Sequence, residues 1–268
     1  LADDEELKLN LEDVRLHRLE SFLDLAIRSS LLVNDALKDE IKLNLKSTSL
    51  TDFLSLLLNI DQDISASSKK SESQNRNLKA CDALTLKFDA QWPLSIIFNR
   101  KVMLQYEIIF RRLLQCKYVE KLLSQCWISR KFRLNPLYSL LLHQMLTFLK
   151  NYLYFATAEV IEPNWHKFYA NFSTIDQALK SHALFLDDTT KDCLLTDGIL
   201  VQNFQKILDI CLKFARKFDE NLDNTTKVED LKFEFDGSQM NMLQRMQILS
   251  ASSKERLYTD IAYRLDLK

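Results

Sequence analysis

An all-α fold, a multi-helix antiparallel bundle carrying one small β-sheet element, is predicted by three features of these 268 residues. Glycine is nearly absent: Gly198 and Gly237 are the two in the chain, beside 3 prolines. Few turns therefore adopt positive φ, and most of the chain is free to run in long helices. Apolar residues recur at three- and four-residue spacing over long windows, the period of a helix with one buried face. Strict alternation at period two is confined to short stretches, which suffices for a small sheet and no more.

Taken in order, Leu7, Leu9 and Leu11 alternate as a short strand, and a helix follows with Leu16, Leu19, Leu23, Ala26 and Ile27 inward and Phe22 beside them. Ile41, Leu43 and Leu45 alternate again, and Thr51-Asp52 reads as the N-cap of a short apolar helix through Ile60. Residues 61–79, DQDISASSKKSESQNRNLK, hold no aromatic and one isoleucine. That is too little apolar surface to offset the entropy of ordering, so a disordered internal loop is expected, inserted within one domain spanning 1–268. Leu84, Leu86, Phe88, Ala90 and Trp92 alternate beyond it, placed to pair with 41–45 across the insertion.

Pro93 has no N–H for a ladder and suits a first helical turn, so a long helix should follow it, with Val102, Tyr106, Ile109, Phe110, Leu113 and Cys116 on one stripe. Asn135-Pro136 caps the next helix, which runs to about Val160 with two adjacent stripes. One is Leu137, Leu141, Met145, Phe148, Tyr152, Phe155; the other is Leu142, Leu146, Leu149, Leu153, Ala156, Val160. A helix apolar around most of its circumference belongs at the centre of the bundle. Pro163 is expected to stop it, after which Trp165, Phe168, Tyr169 and Phe172 share helical spacing. Ser173 or Thr174 caps a helix through Ile175, Leu179, Ala183 and Leu186. Asp197 caps another, with Val201, Phe204, Leu208, Cys211, Ala215 and Phe218 inward. Residues 219–229 read as a second flexible loop, Leu231, Phe233 and Phe235 as an alternating strand, and Asp236-Gly237 as a turn. Ser252 with Glu255 forms a capping box for a last helix with Leu257, Tyr258, Ile261 and Leu265.

Composition removes several kinds of function. With 36 basic and 37 acidic residues and a net charge of -1, the chain lacks the electrostatic footprint of a nucleic-acid binder. Neither glycine sits in a phosphate loop, a dinucleotide fingerprint or a nucleophile elbow. The 5 cysteines are scattered without C-x-x-C spacing, which favours reduced core thiols over disulfides or zinc. LADDEELKLN is acidic where a signal peptide needs a basic region, and no apolar run reaches a membrane span, so a soluble intracellular protein is expected. Glu159, Glu162 and His166 lie close in sequence, but Pro163 separates them and no second histidine follows at ligand spacing. His143 and His182 fall on or beside apolar stripes, as core or boundary histidines do. No catalytic set, cofactor or metal is implied.

What remains is interaction chemistry. Arg100-Lys101, Arg111-Arg112 and the connector Arg130, Lys131, Arg133 are basic groups in a neutral chain, either solvated helix faces or a patch for an acidic protein partner. Trp92, Trp127 and Trp165 each stand at an element boundary, where a ring is part core and part surface.

A resemblance supplies the partner. WPLSIIF at 92–98, IFRRLL at 109–114, CKYVEKLL at 116–123 and Trp127 resemble the C-terminal part of gamma-tubulin complex components. HRLESFLDLAIRSS at 17–30, DALKDEIKLNL at 35–45, MLTFLKNYLYFATAEVIEPNWHKF at 145–168, IDQALKSHALFLDDTTKDCLLT at 175–196 and RLD at 264–266 extend the likeness over most of the chain, and the Glu-Pro-x-Trp-His run points to the component 2 type. The resemblance implies a non-catalytic scaffold in the cytoplasm, at a microtubule-organising centre such as a spindle pole body or centrosome. It would hold γ-tubulin in a template for microtubule nucleation, and GTP would belong to the tubulin. Lateral pairing with a component 3-type subunit would use an N-terminal half absent here, and Leu267-Lys268 stands where the family usually has an aromatic-rich tail. Neither nucleic acid nor membrane is an expected partner. The residues expected at the γ-tubulin contact are those polar groups that core packing does not explain: the basic clusters, Trp165, His166, Arg264 and Asp266. The competing reading is a helical adaptor that takes an amphipathic helical peptide of another cytoskeletal protein in a groove.

Overall fold

The alternating stretches on either side of the polar insertion pair as their patterns require. In the computed structural model, which describes residues 15–58, 80–128, 136–170, 174–219, 225–253 and 256–265, β1 (Ile41–Leu45) runs antiparallel to β2 (Leu84–Phe88). Ile41 faces Phe88, Leu43 faces Leu86 and Leu45 faces Leu84, so the apolar residues of both strands share one face. The strand expected at 84–92 ends at Phe88 because its partner ends first. Lys38–Glu40 form a 3-10 turn, so the Asp89 N–H still reaches the Glu40 carbonyl at 3.1 Å but the ladder goes no further among the described residues. The Trp92–Pro93 peptide is cis, and a 3-10 turn at Leu94–Ile96 follows. Pro93 therefore does not open the long helix; Asn99 does, its Oδ1 accepting the Val102 N–H at 3.0 Å.

The helices in order are α1 (Leu16–Arg28), α2 (Leu50–Leu58), the short α3 (Ala80–Ala83), α4 (Arg100–Ile128), α5 (Pro136–Tyr154), α6 (Glu162–Ala170), α7 (Ile175–Asp192), α8 (Gly198–Asp219), α9 (Thr225–Ser253) and α10 (Arg256–Leu265). They form two compact units: Leu1–Gln115 with His182–Leu186, and Cys116–Ser181 with Asp187–Lys268. The cap of α2 is Ser49, whose Oγ accepts the Asp52 N–H at 3.1 Å, two residues before the expected Thr51. Thr174 and Asp197 cap as expected. Thr174 Oγ1 accepts the Gln177 N–H at 3.3 Å, and Asp197 Oδ1 accepts those of Ile199 and Leu200 at 2.9 Å each.

In the first unit, α4 is tied to both flanks of the insertion by one guanidinium. Arg111 is 0% exposed; its Nη2 donates to the Thr48 carbonyl at 2.5 Å and the Asp82 carbonyl at 2.6 Å. Lys46 reaches Glu107 at 2.6 Å, and Gln115 Nε2 donates to Asp82 Oδ1 at 2.8 Å. Burial draws the Arg111 pKa below its ordinary value, while Glu107 and Asp82 oppose that shift.

In the second unit, α5 is central. From Leu141 onward both of its stripes are buried, as are Phe155, Ala156 and Val160 beyond its end. Phe148 meets Phe204 and Phe235 with ring centroids 5.9 and 6.0 Å apart, Tyr152 meets Phe204 at 4.4 Å, and the Tyr152 hydroxyl donates to the Cys193 carbonyl at 3.1 Å. Pro163 does not stop this helix. Residues Phe155–Ile161 form a π-helical stretch, and the path continues through α6 to Ala170. In the wider π turn the Glu162 N–H bonds back to the Thr157 carbonyl, so the helical path runs through the residue before Pro163 without a break.

The largest departure lies in α9. The residues expected as loop (225–229), strand (Leu231, Phe233, Phe235) and turn (Asp236-Gly237) are one continuous helix. Leu231 and Phe235 are buried on one side of it, four residues apart, while Phe233 stands exposed on the other. An apolar residue on the outer face thus imitated a period-two pattern. The Leu7–Leu11 stretch, the 61–79 loop, residues 129–135, 219–224 apart from Asp219, and Glu255 of the capping box lie outside the described residues.

Two substitutions check this fold. Arg111→Ala should cost about 3–5 kcal/mol in urea unfolding, because it removes a fully buried side chain and leaves the Thr48 and Asp82 carbonyls without their donor; a loss below about 1 kcal/mol is incompatible with the network. Gly237→Ala should raise stability by about 1 kcal/mol, since Gly237 is mid-helix with nothing within 4 Å of an added Cβ. A lowered midpoint would mean that the helix is interrupted there.

Candidate functional site

The buried titratable groups are structural. In the first unit, Tyr106 on α4 and His182 on α7 share a 2.8 Å hydrogen bond inside an aromatic cluster, with Phe98 5.9 Å and Phe185 6.3 Å from the His182 ring centroid. Burial raises the Tyr106 phenol to about 12 and lowers the His182 imidazole from 6.5, so both stay neutral near pH 7. His182 is the satisfied core histidine its sequence position suggested; His143, by contrast, is exposed. In the second unit, burial pushes the Cys193 thiol up to about 12 and raises Cys211 as well, which makes both poor nucleophiles. Asp197 runs the other way. Burial would raise it, but hydrogen bonds from Arg245 at 2.6 Å and from the Leu200 and Ile199 N–H groups outweigh that and hold it low.

The basic clusters divide. Arg111 and Arg112, expected on a partner-facing or solvated surface, are 0% and 2% exposed and belong to the interior of the first unit. Arg100 and Lys101 are exposed at the start of α4. Arg130, Lys131, Arg133 and Asp266 lie outside the described residues.

On the second unit, exposed aromatic and charged groups collect along the α5–π–α6 run and on α10. Trp165 and His166 are exposed on α6, with Tyr169 one turn beyond Trp165 and the Phe168 ring 5.2 Å from the indole. Tyr154, at the end of α5, is exposed too. Arg264 on α10 is ion-paired with Glu159 of the π stretch, and its carbonyl accepts the Asn151 Nδ2–H at 3.0 Å. These bonds carry the exposed Tyr263 with them. Exposed Trp and Tyr beside a half-buried, ion-paired Arg on packed helices fit the composition of a protein-binding surface. Of the residues the sequence singled out, Trp165, His166 and Arg264 lie along these elements; Tyr154, Tyr263 and the Glu159 pairing were not among them, the one signal being a tyrosine falling off an otherwise apolar stripe.

Comparison with known proteins identifies the family of the chain, not the role of this surface. The family model described as gamma tubulin complex component C-terminal matches residues 2–268. The chain belongs to the gamma-tubulin complex component family. It is 34% identical over 234 residues to a gamma-tubulin complex component 2 from Mus musculus, covering 82% of this chain and 26% of that protein. It is 29% identical over 222 residues to its Arabidopsis thaliana counterpart, covering 79% and 32%. Spindle pole body component alp4 of Schizosaccharomyces pombe is 25% identical over 294 residues, covering 90% and 38%. The chain therefore spans between about a quarter and two fifths of the length of these family members.

Between pH 6.5 and the lower His182 value the unfolded chain binds a proton that the folded chain refuses. Stability should therefore be full above about 6.5 and decline as pH falls below it. His182→Gln keeps a partner for Tyr106 and should flatten that decline in chemical unfolding from pH 7.5 to 5; an unchanged slope would exclude His182 as its source.

Proposed function

We propose that the chain is a non-catalytic mount for γ-tubulin within a gamma-tubulin complex, acting in the cytoplasm at the microtubule-organising centre. The observation that carries this reading is the family match over residues 2–268, the described bundle included. The names of the relatives, gamma-tubulin complex component 2 and spindle pole body component alp4, support both the assembly and the location. The mechanism is positional. A rigid helical unit that holds one γ-tubulin, repeated beside its neighbours, lowers the entropic cost of the first lateral tubulin contacts. Pairing with a component 3-type subunit would draw on parts of the relatives that this chain does not span.

The aromatic surface of the second unit is the contact we assign to γ-tubulin. Trp165 and Tyr169 offer large, stiff anchors, and the Glu159–Arg264 pair braces α10 beside them. The buried Arg111 and Arg112 are removed from the contact list, and Arg100 and Lys101 remain as an exposed electrostatic contribution. Analytical ultracentrifugation should show a one-to-one complex of the chain with γ-tubulin and none with αβ-tubulin. Trp165→Ala combined with Tyr169→Ala should weaken that complex by about tenfold or more while circular dichroism stays unchanged. A folded chain that forms no complex would sink the mount, and full affinity in the double variant would move the contact elsewhere.

A further inference from the structure

The outer face of α9 is an apolar stripe that the fold does not use. Inward, α9 buries Val228, Leu231, Phe235, Met242, Leu243 and Met246. Outward, Phe233 is 81% exposed, Met240 46% and Ile248 59%. These three stand at i, i+7 and i+15, within an arc of about 80° on one side of the helix. Gly237 lies between Phe233 and Met240 on that side, exposed, with open space where a Cβ would be. A glycine in a helix interior destabilises the helix relative to alanine, and nothing among the described residues comes close enough to require one there. It leaves a notch where another backbone can approach closely, with a large apolar side chain on either side.

Charge selects the occupant. Glu229, Asp230, Glu234 and Asp236 flank the stripe and are all exposed, and none is in an ion pair among the described residues. Among the side chains described on this helix, Lys232 is half-buried, three residues from Glu229 and four from Asp236, and offsets part of that charge, while Arg245 is engaged with Asp197, so four carboxylates against one available cation leave the face net acidic. We infer that the outer face of α9 docks a basic amphipathic helix of a partner protein. The partner's apolar ridge would cross at Gly237, between Phe233 and Met240, and its Lys and Arg side chains would meet the four flanking carboxylates. None of the residues of this face is among those assigned to the γ-tubulin contact proposed above.

Calorimetric titration of the full 268-residue chain tests this with two synthetic helical peptides of about five turns. Both carry leucines at i, i+3/i+4 and i+7, with lysines and arginines in one and glutamates in the other. The basic peptide should bind, more weakly as salt rises, and the acidic one should not. Gly237→Leu fills the notch on an exposed helix and should cost about tenfold in affinity or more. Gly237→Ala separates docking from folding, because it should raise Tm yet weaken binding. Glu234→Lys with Asp236→Lys should remove the preference for the basic peptide. Equal binding of both peptides, no binding of the basic one, or full affinity in Gly237→Leu overturns the inference. So does a self-association of the chain that Gly237→Leu abolishes, which would make a second copy the occupant.

Discussion

A single buried guanidinium holds the first unit together. Arg111 lies on α4, yet the carbonyls it serves belong to Thr48 and Asp82, on either side of the polar insertion in sequence. Without that cation, the Thr48 carbonyl ahead of α2 and the Asp82 carbonyl of α3 would be left as part-buried acceptors without their donor, at a cost of about 1–3 kcal/mol each. Glu107 and Lys46 extend the arrangement, so that the charge is balanced by a carboxylate that is itself paired. The β1–β2 register depends on the same tie, since Lys46 and Ala83, which bond at 2.9 Å at the end of the ladder, adjoin the anchored residues.

The second unit rests on apolar packing instead. Two adjacent stripes make α5 a core helix on several sides, and the aromatic contacts of Phe148 and Tyr152 lock α8 and α9 to it. The π stretch then lets one helical path pass Pro163 and present Trp165, His166 and Tyr169 outward, while Glu159 reaches Arg264. Pro163 thus lies within the helical path that carries the surface assigned above to γ-tubulin.

The same division separates what was readable from what was not. Short-range patterns sufficed for the helical class, the β1–β2 pairing, the caps at Thr174 and Asp197 and the centrality of α5. A cap, a period and a strand register depend on residues within a few positions or on matched alternation. Family membership was readable too, because WPLSIIF and the Glu-Pro-x-Trp-His run are ordered matches in the chain itself. Tertiary contacts decided the rest. Arg111 and Arg112 look like any solvated pair in sequence, since the carbonyls that receive Arg111 come from 63 and 29 residues away. Leu231, Phe233 and Phe235 look like a strand until packing against α5 and α8 shows that two of the three face inward. Local chemistry determines which elements form; which face of each is buried, and which charge goes with it, is settled by partners distant in sequence that no local pattern encodes.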